Sequence, residues 1–118
     1  MAVDKHNDNR DPSSAASEAF EWAAYNRPFL GERVSGDVAI AVPMETKLLV
    51  VLIDVLGHGA EANGLATQMA DYVGKHPVAV PSTMIENLHK AFKGSRGAAA
   101  GCAVLDARTH RVVFAGVG

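Results

Sequence analysis

Lys47-Leu48-Leu49-Val50-Val51-Leu52-Ile53-Asp54-Val55-Leu56-Gly57-His58-Gly59 is the stretch that decides how this chain folds. The apolar run Leu48 to Ile53 reads as a buried strand, bounded by Lys47 on one side and Asp54 on the other. An ionised carboxylate at the end of such a strand is costly unless something compensates it. The glycines that follow leave the backbone open to close approach by a ligand. Upstream, Ser35-Gly36-Asp37 leads into a second apolar stretch, Asp37 to Val42, and Pro43-Met44-Glu45-Thr46 reads as the turn between the two. Paired as a hairpin, these strands bring Asp37 and Asp54 to one end of a sheet. Two acids so placed are what a hard-cation site needs.

Downstream, Ala60 to Gly74 has helical spacing. Ala62, Leu65, Ala66, Met69, Tyr72 and Val73 recur every three or four residues, leaving Glu61, Gln68 and Asp71 outward. Pro77 and Pro81 interrupt the pattern. A second helix is expected from Ser82 or Thr83, with Thr83-x-x-Glu86 as a capping box, Ile85, Leu88 and Phe92 on one face, and Gly94 as a left-handed cap. Ala98 to Leu105 and Arg111 to Ala115 read as strands joined by the polar turn Asp106 to His110. Residues 1–17 are polar and without apolar period, as in a flexible tail. Ala19 to Tyr25, around Trp22, fits either a strand or a short helix, and Asn26-Arg27-Pro28 reads as a loop. Strands, two helices, then strands again favour an antiparallel α+β layer over a doubly wound parallel sheet.

The composition narrows the function class. A length of 118 residues allows one domain, and 48% hydrophobic residues are enough for a core. Eleven basic against thirteen acidic residues, with a net charge of −2, do not indicate nucleic acid. Lys90, Lys93 and Arg96 cluster near a helix end, where cations complement the dipole. No apolar run is long enough to cross a bilayer, and no signal peptide opens the chain. The lone Cys102 excludes an internal disulfide. Together these point to a cytoplasmic protein. The chain stops at Gly116-Val117-Gly118 directly after a strand, the pattern expected of a fragment, and an unpaired edge there would invite a homo-oligomer.

Three blocks occur in order: Glu32-Arg33-Val34-Ser35-Gly36-Asp37, Asp54-Val55-Leu56-Gly57-His58-Gly59-Ala60-Glu61-Ala62, and Gly94-Ser95-Arg96-Gly97-Ala98-Ala99-Ala100. Over roughly residues 20–118 the set resembles the SpoIIE/RsbX-type branch of the metal-dependent type 2C (PPM) serine/threonine protein phosphatases. The resemblance implies an antiparallel β-sandwich flanked by helices, with residues 18–118 as the N-terminal portion of such a domain, truncated at its C-terminus. It also implies hydrolysis of phosphoserine and phosphothreonine with a pair of Mn²⁺ or Mg²⁺ ions. The implied partner is a phosphorylated STAS-type regulator in bacterial partner switching or stress response. Asp54 matches the acid that bridges both metals, and Asp37 the acid of the first metal-binding block. Val55 stands where a backbone carbonyl is a ligand and where family members usually carry glycine.

Other residues have two readings each. His58 could give a proton to the leaving alkoxide or orient substrate, or only hydrogen-bond its turn. Arg33 could grip the substrate phosphate through a bidentate fork, or be a solvated loop charge. Asp54 could instead cap the following helix, and Asp37 could serve its local turn. A catalytically inactive phosphatase-like binding domain is the alternative to an enzyme. A kinase-like ATP-binding module fits less well, because Asp54-x-x-Gly57-x-Gly59 is one residue longer than its glycine box.

Overall fold

The structure, a computed structural model, describes residues 2–4 and 19–118. Its elements follow in the order β1 (Ala2–Asp4), β2 (Ala24–Asn26), β3 (Asp37–Met44), β4 (Lys47–Val55), α1 (Gly59–Lys75), α2 (Pro81–Ala91), β5 (Ala98–Asp106) and β6 (Arg111–Val117). The four longer strands form one antiparallel sheet in the order β3-β4-β5-β6, and β1 pairs with β2 in a separate ribbon. The expected α+β antiparallel class is therefore borne out. The described residues supply one large sheet with helices on one face. Of the tail expected over residues 1–17, residues 2–4 form β1, and the others lie outside the described residues.

Alternation along β4 sets the layers. Leu49, Val51, Ile53 and Val55 point to the helix side and are each at most 2% exposed. Ala62, Ala66, Met69 and Val73 of α1 and Met84 and Leu88 of α2 pack on them, joined by Cys102 and Val104 from β5. Burial of each large aliphatic side chain contributes about 1.5–3 kcal/mol. The inward stripe on α1 is the one the sequence spacing predicts. The opposite face of the sheet carries Leu52, Val112 and Phe114, which are exposed, and among its described residues only its Asp37–Asp54 end is charged.

Two boundaries differ from expectation. Pro81 does not interrupt a helix but opens one, at the first helical turn, where its missing N–H costs nothing. The residue before the helix is Val80, no side chain caps it, and Thr83 already lies inside the first turn, so the Thr83–Glu86 capping box does not form. Asn26 belongs to β2 rather than to a loop. Gly94 has φ +85, as expected of a left-handed residue after a helix. The β3–β4 turn narrows to Glu45-Thr46, with Glu45 at φ 55.

Candidate metal centre

Asp37 and Asp54 are direct partners across the β3–β4 ladder. Both side chains lie on the face away from the helices, because Val38 and Ile53 beside them point inward. Partial burial, then the hydrogen bond and negative charge of Asp54, raise the Asp37 carboxyl above its ordinary value. Two carboxyls facing each other across the ladder form a site that a cation would relieve. Oxygen ligands at an exposed strand end, with room for water, suit Mg²⁺ or Mn²⁺. Among the described residues no cluster of three or more His, Cys, Asp or Glu side chains is present.

The backbone around the pair is held from several directions. Ser35 Oγ accepts from the Asp37 N–H at 3.0 Å, Asn26 Nδ2 donates to the Asp37 carbonyl at 2.7 Å, and Asn63 Nδ2 on α1 donates to the Ser35 carbonyl at 3.0 Å. The Val55 N–H donates to Gly36 and the Leu56 N–H to Gly97, each at 3.0 Å. A Cβ on Gly36 would lie 3.0 Å from Ala62 Cβ and 3.4 Å from the Val55 carbonyl, so the glycine lets α1 and the turn approach the β3 start. Val55 buries its side chain in the core and keeps φ negative, so a β-branched residue fits here without left-handed strain.

The remaining sequence candidates separate. His58 holds the position just before α1 without a side-chain cap bond; its Nδ1 meets Glu32 Oε1 at 2.5 Å, and it is not among the described residues lining the open groove beside the Asp pair. Asp54 does not cap α1 either, since His58 occupies that position. Arg33 is exposed and is not among the described residues lining the open groove beside the Asp pair; Arg27 is, together with Asn26, Tyr25, Leu52 and Phe114. Arg96 fixes the β4–α1 turn, donating to the Leu56 carbonyl and pairing with Glu61. Sequence reasoning assigned no role to Asn26, Arg27, Glu32 or Asn63. Their roles come from contacts across 11 to 28 positions for the three with hydrogen bonds, and no local pattern announces those.

Two other reactive groups are set aside. Burial pushes the Cys102 thiol up to about 11, so at neutral pH it is not the thiolate a nucleophile requires. Asp106 is slightly desolvated, but hydrogen bonds from Arg108 and Thr109 and the charge of Lys47 outweigh this and lower its carboxyl. It serves the β5–β6 turn.

No protein-family model and no curated protein sequence matches the chain. Solved structures do. A chain from work on the bacterial stressosome, described as a modular system adapted to control secondary messenger signalling, aligns with a TM-score of 0.72 and 26% identity. The match covers 80% of this chain and 49% of that one. RsbX in complex with magnesium aligns with a TM-score of 0.72 and 24% identity, over 81% of this chain and 48% of its own. The fold is similar to that of RsbX. A structure of the RsbU and RsbW domains of Rv1364c from Mycobacterium tuberculosis aligns less fully, with a TM-score of 0.52 and 26% identity over 67% of this chain and 24% of that one. The chain thus spans about half the length of RsbX and of the stressosome chain.

Proposed function

We propose that this chain carries the metal-binding half of a serine/threonine phosphoprotein phosphatase of the type 2C kind, acting on a phosphorylated STAS-type regulator in bacterial partner switching. The observation that carries the reading is the direct pairing of Asp37 with Asp54 at one sheet end, in a fold similar to that of RsbX, which was crystallised with magnesium. Asp54 and Asp37 would hold Mn²⁺ or Mg²⁺, with the Val55 carbonyl as a further oxygen. When bound, such a metal pair lowers the pKa of a coordinated water and neutralises phosphoryl charge. His58 supplies a proton to the departing serine or threonine oxygen. Arg27, which lines the groove, is the candidate to hold the phosphoryl oxygens through its guanidinium fork, with Arg33, outside the groove, as the alternative.

One observation favours a second reading, a phosphatase-like domain that docks a partner without turnover: the described residues bring only two acids together at the site. Phosphate release from a phosphoserine STAS domain, measured with Mn²⁺ in wild type and Asp54→Asn, separates the two. Metal-dependent release abolished by the substitution supports the enzyme. No release at any Mn²⁺ concentration, with the phosphoprotein still bound, supports the docking domain.

A further inference from the structure

Glu32 and His58 lie 26 positions apart in sequence and meet at 2.5 Å. His58 is in extended backbone just before α1, where a polar side chain ordinarily turns to the free N–H groups of the first turn. Its ring is instead taken up by Glu32. The Phe29 ring stacks on it with centroids 5.5 Å apart and an interplanar angle of 29°. Both partners come from one turn, since the Glu32 N–H donates to the Phe29 carbonyl at 2.8 Å. A Cβ at Gly59, whose φ is +80, would lie 3.3 Å from the Glu32 carboxylate, so the acid fills the space beside the helix start. Glu32 is also the more enclosed of the two, 29% exposed against 62% for His58. The contacts engage the Nδ1 edge and one face of the ring and leave Nε2 without a partner among the described residues.

We propose that Glu32 is the positioning residue of His58: its carboxylate accepts the Nδ1–H, Phe29 backs the ring, and Nε2 is kept free for proton transfer. The catalytic half of this inference rests on the phosphatase reading; the positioning half does not. In the hydrolysis, water oxygen forms a bond to phosphorus and the bond from phosphorus to the serine or threonine oxygen breaks. The departing oxygen takes the proton from Nε2 of the doubly protonated ring. The ring is left neutral with its hydrogen on Nδ1, still given to Glu32, and the proton lost by the attacking water restores it through solvent. Nδ1–H is the less common tautomer of a free neutral histidine, and a carboxylate on that side is what holds a ring in it.

The test uses the ¹⁵N-labelled full chain and long-range ¹H–¹⁵N imidazole spectra at about pH 8, where an ordinary histidine is neutral. The His58 signals are assigned by their loss in His58→Ala. The Nδ1–H form is expected to dominate in wild type and in Glu32→Asp, and to give way to the Nε2–H form in Glu32→Gln. With a phosphopeptide and Mn²⁺, Glu32→Gln is expected to lower kcat by about 10- to 100-fold with KM nearly unchanged. The same tautomer in wild type and Glu32→Gln overturns the proposal, and so does a tautomer change that leaves kcat intact. A tautomer change on Glu32→Gln, where the wild type itself hydrolyses nothing, sustains the Glu32–His58 tie and defeats the phosphatase reading alone.

Discussion

Arg96 reaches across forty residues of sequence to donate from Nη1 to the Leu56 carbonyl at 3.1 Å, while its Nη2 pairs with Glu61. One side chain from the segment before β5 thereby fixes the turn that follows Asp54. Gly57 has φ +95, a left-handed backbone that favours glycine, and a Cβ there would fall 2.6 Å from Nη1, so the guanidinium lies directly over it.

The two bonds of Arg96 are expected to differ in weight. Glu61 is 85% exposed, and exposed ion pairs contribute little. Arg96→Ala should destabilise the fold by about 1 kcal/mol through the lost carbonyl bond, whereas Glu61→Gln should be nearly neutral. Urea denaturation of both variants decides this; equal losses would place the energy in the ion pair instead.

Gly36→Ala tests how α1 is seated. The added methyl would meet Ala62 Cβ at 3.0 Å and the carbonyls of Val55 and Gly57 at 3.4 and 3.5 Å, all on rigid elements. Overpacking of this kind costs about 1–3 kcal/mol. Chemical denaturation should show that loss, and a Mn²⁺ titration should show weaker binding, because the displaced backbone carries Asp37 on one side and Asp54 on the other.

Asp37 makes a prediction with a definite sign in pH. Its carboxyl is raised by partial burial and then by Asp54, so the folded chain holds this proton more tightly than the unfolded one. Stability from the group is full below the ordinary carboxylate range and is lost as pH rises through the raised value. Like charges facing across a ladder are unfavourable, on the order of 0.2–1 kcal/mol. Without metal at neutral pH, Asp37→Asn should therefore melt a few degrees above wild type, and the gap should close on acidification. Mn²⁺ should reverse the order by stabilising wild type alone. A metal-free variant that melts below wild type at neutral pH would show that the pair is not repulsive.

The two arginines can be told apart by kinetics. Arg27 lines the groove beside Asp37 and Asp54, and Arg33 does not. Arg27→Ala should raise KM for a phosphopeptide by about tenfold or more, the worth of one charge-assisted hydrogen bond. Arg33→Ala should leave KM nearly unchanged. The reverse pattern would return the phosphate to Arg33.

Much of this site could be read before the fold was known, for a physical reason. The Leu48 to Ile53 run and the short turn before it define a hairpin locally, and a hairpin carries its two ends together, so the convergence of Asp37 and Asp54 followed from neighbouring sequence. The inward stripe of α1 was legible in the same way, from spacing alone. Pro81 misled because proline both breaks helices and begins them, and only the chain direction before it decides which. Asn26, Glu32 and Asn63 were silent because each acts on a partner far along the chain, through contacts that exist only once the layers have docked.

The tight turn at Glu45-Thr46 has a consequence at the opposite end of its hairpin. Eight residue pairs separate the closing pair Met44–Lys47 from Asp37–Asp54, counting both ends, and strand side chains alternate faces with every step. Adding or deleting a single residue at that bend would slide the ladder by one position and turn the acid of one strand toward the oily interior. Tolerance of length change at this hairpin tip is thus governed by where Asp37 and Asp54 must sit at the other end of the strands.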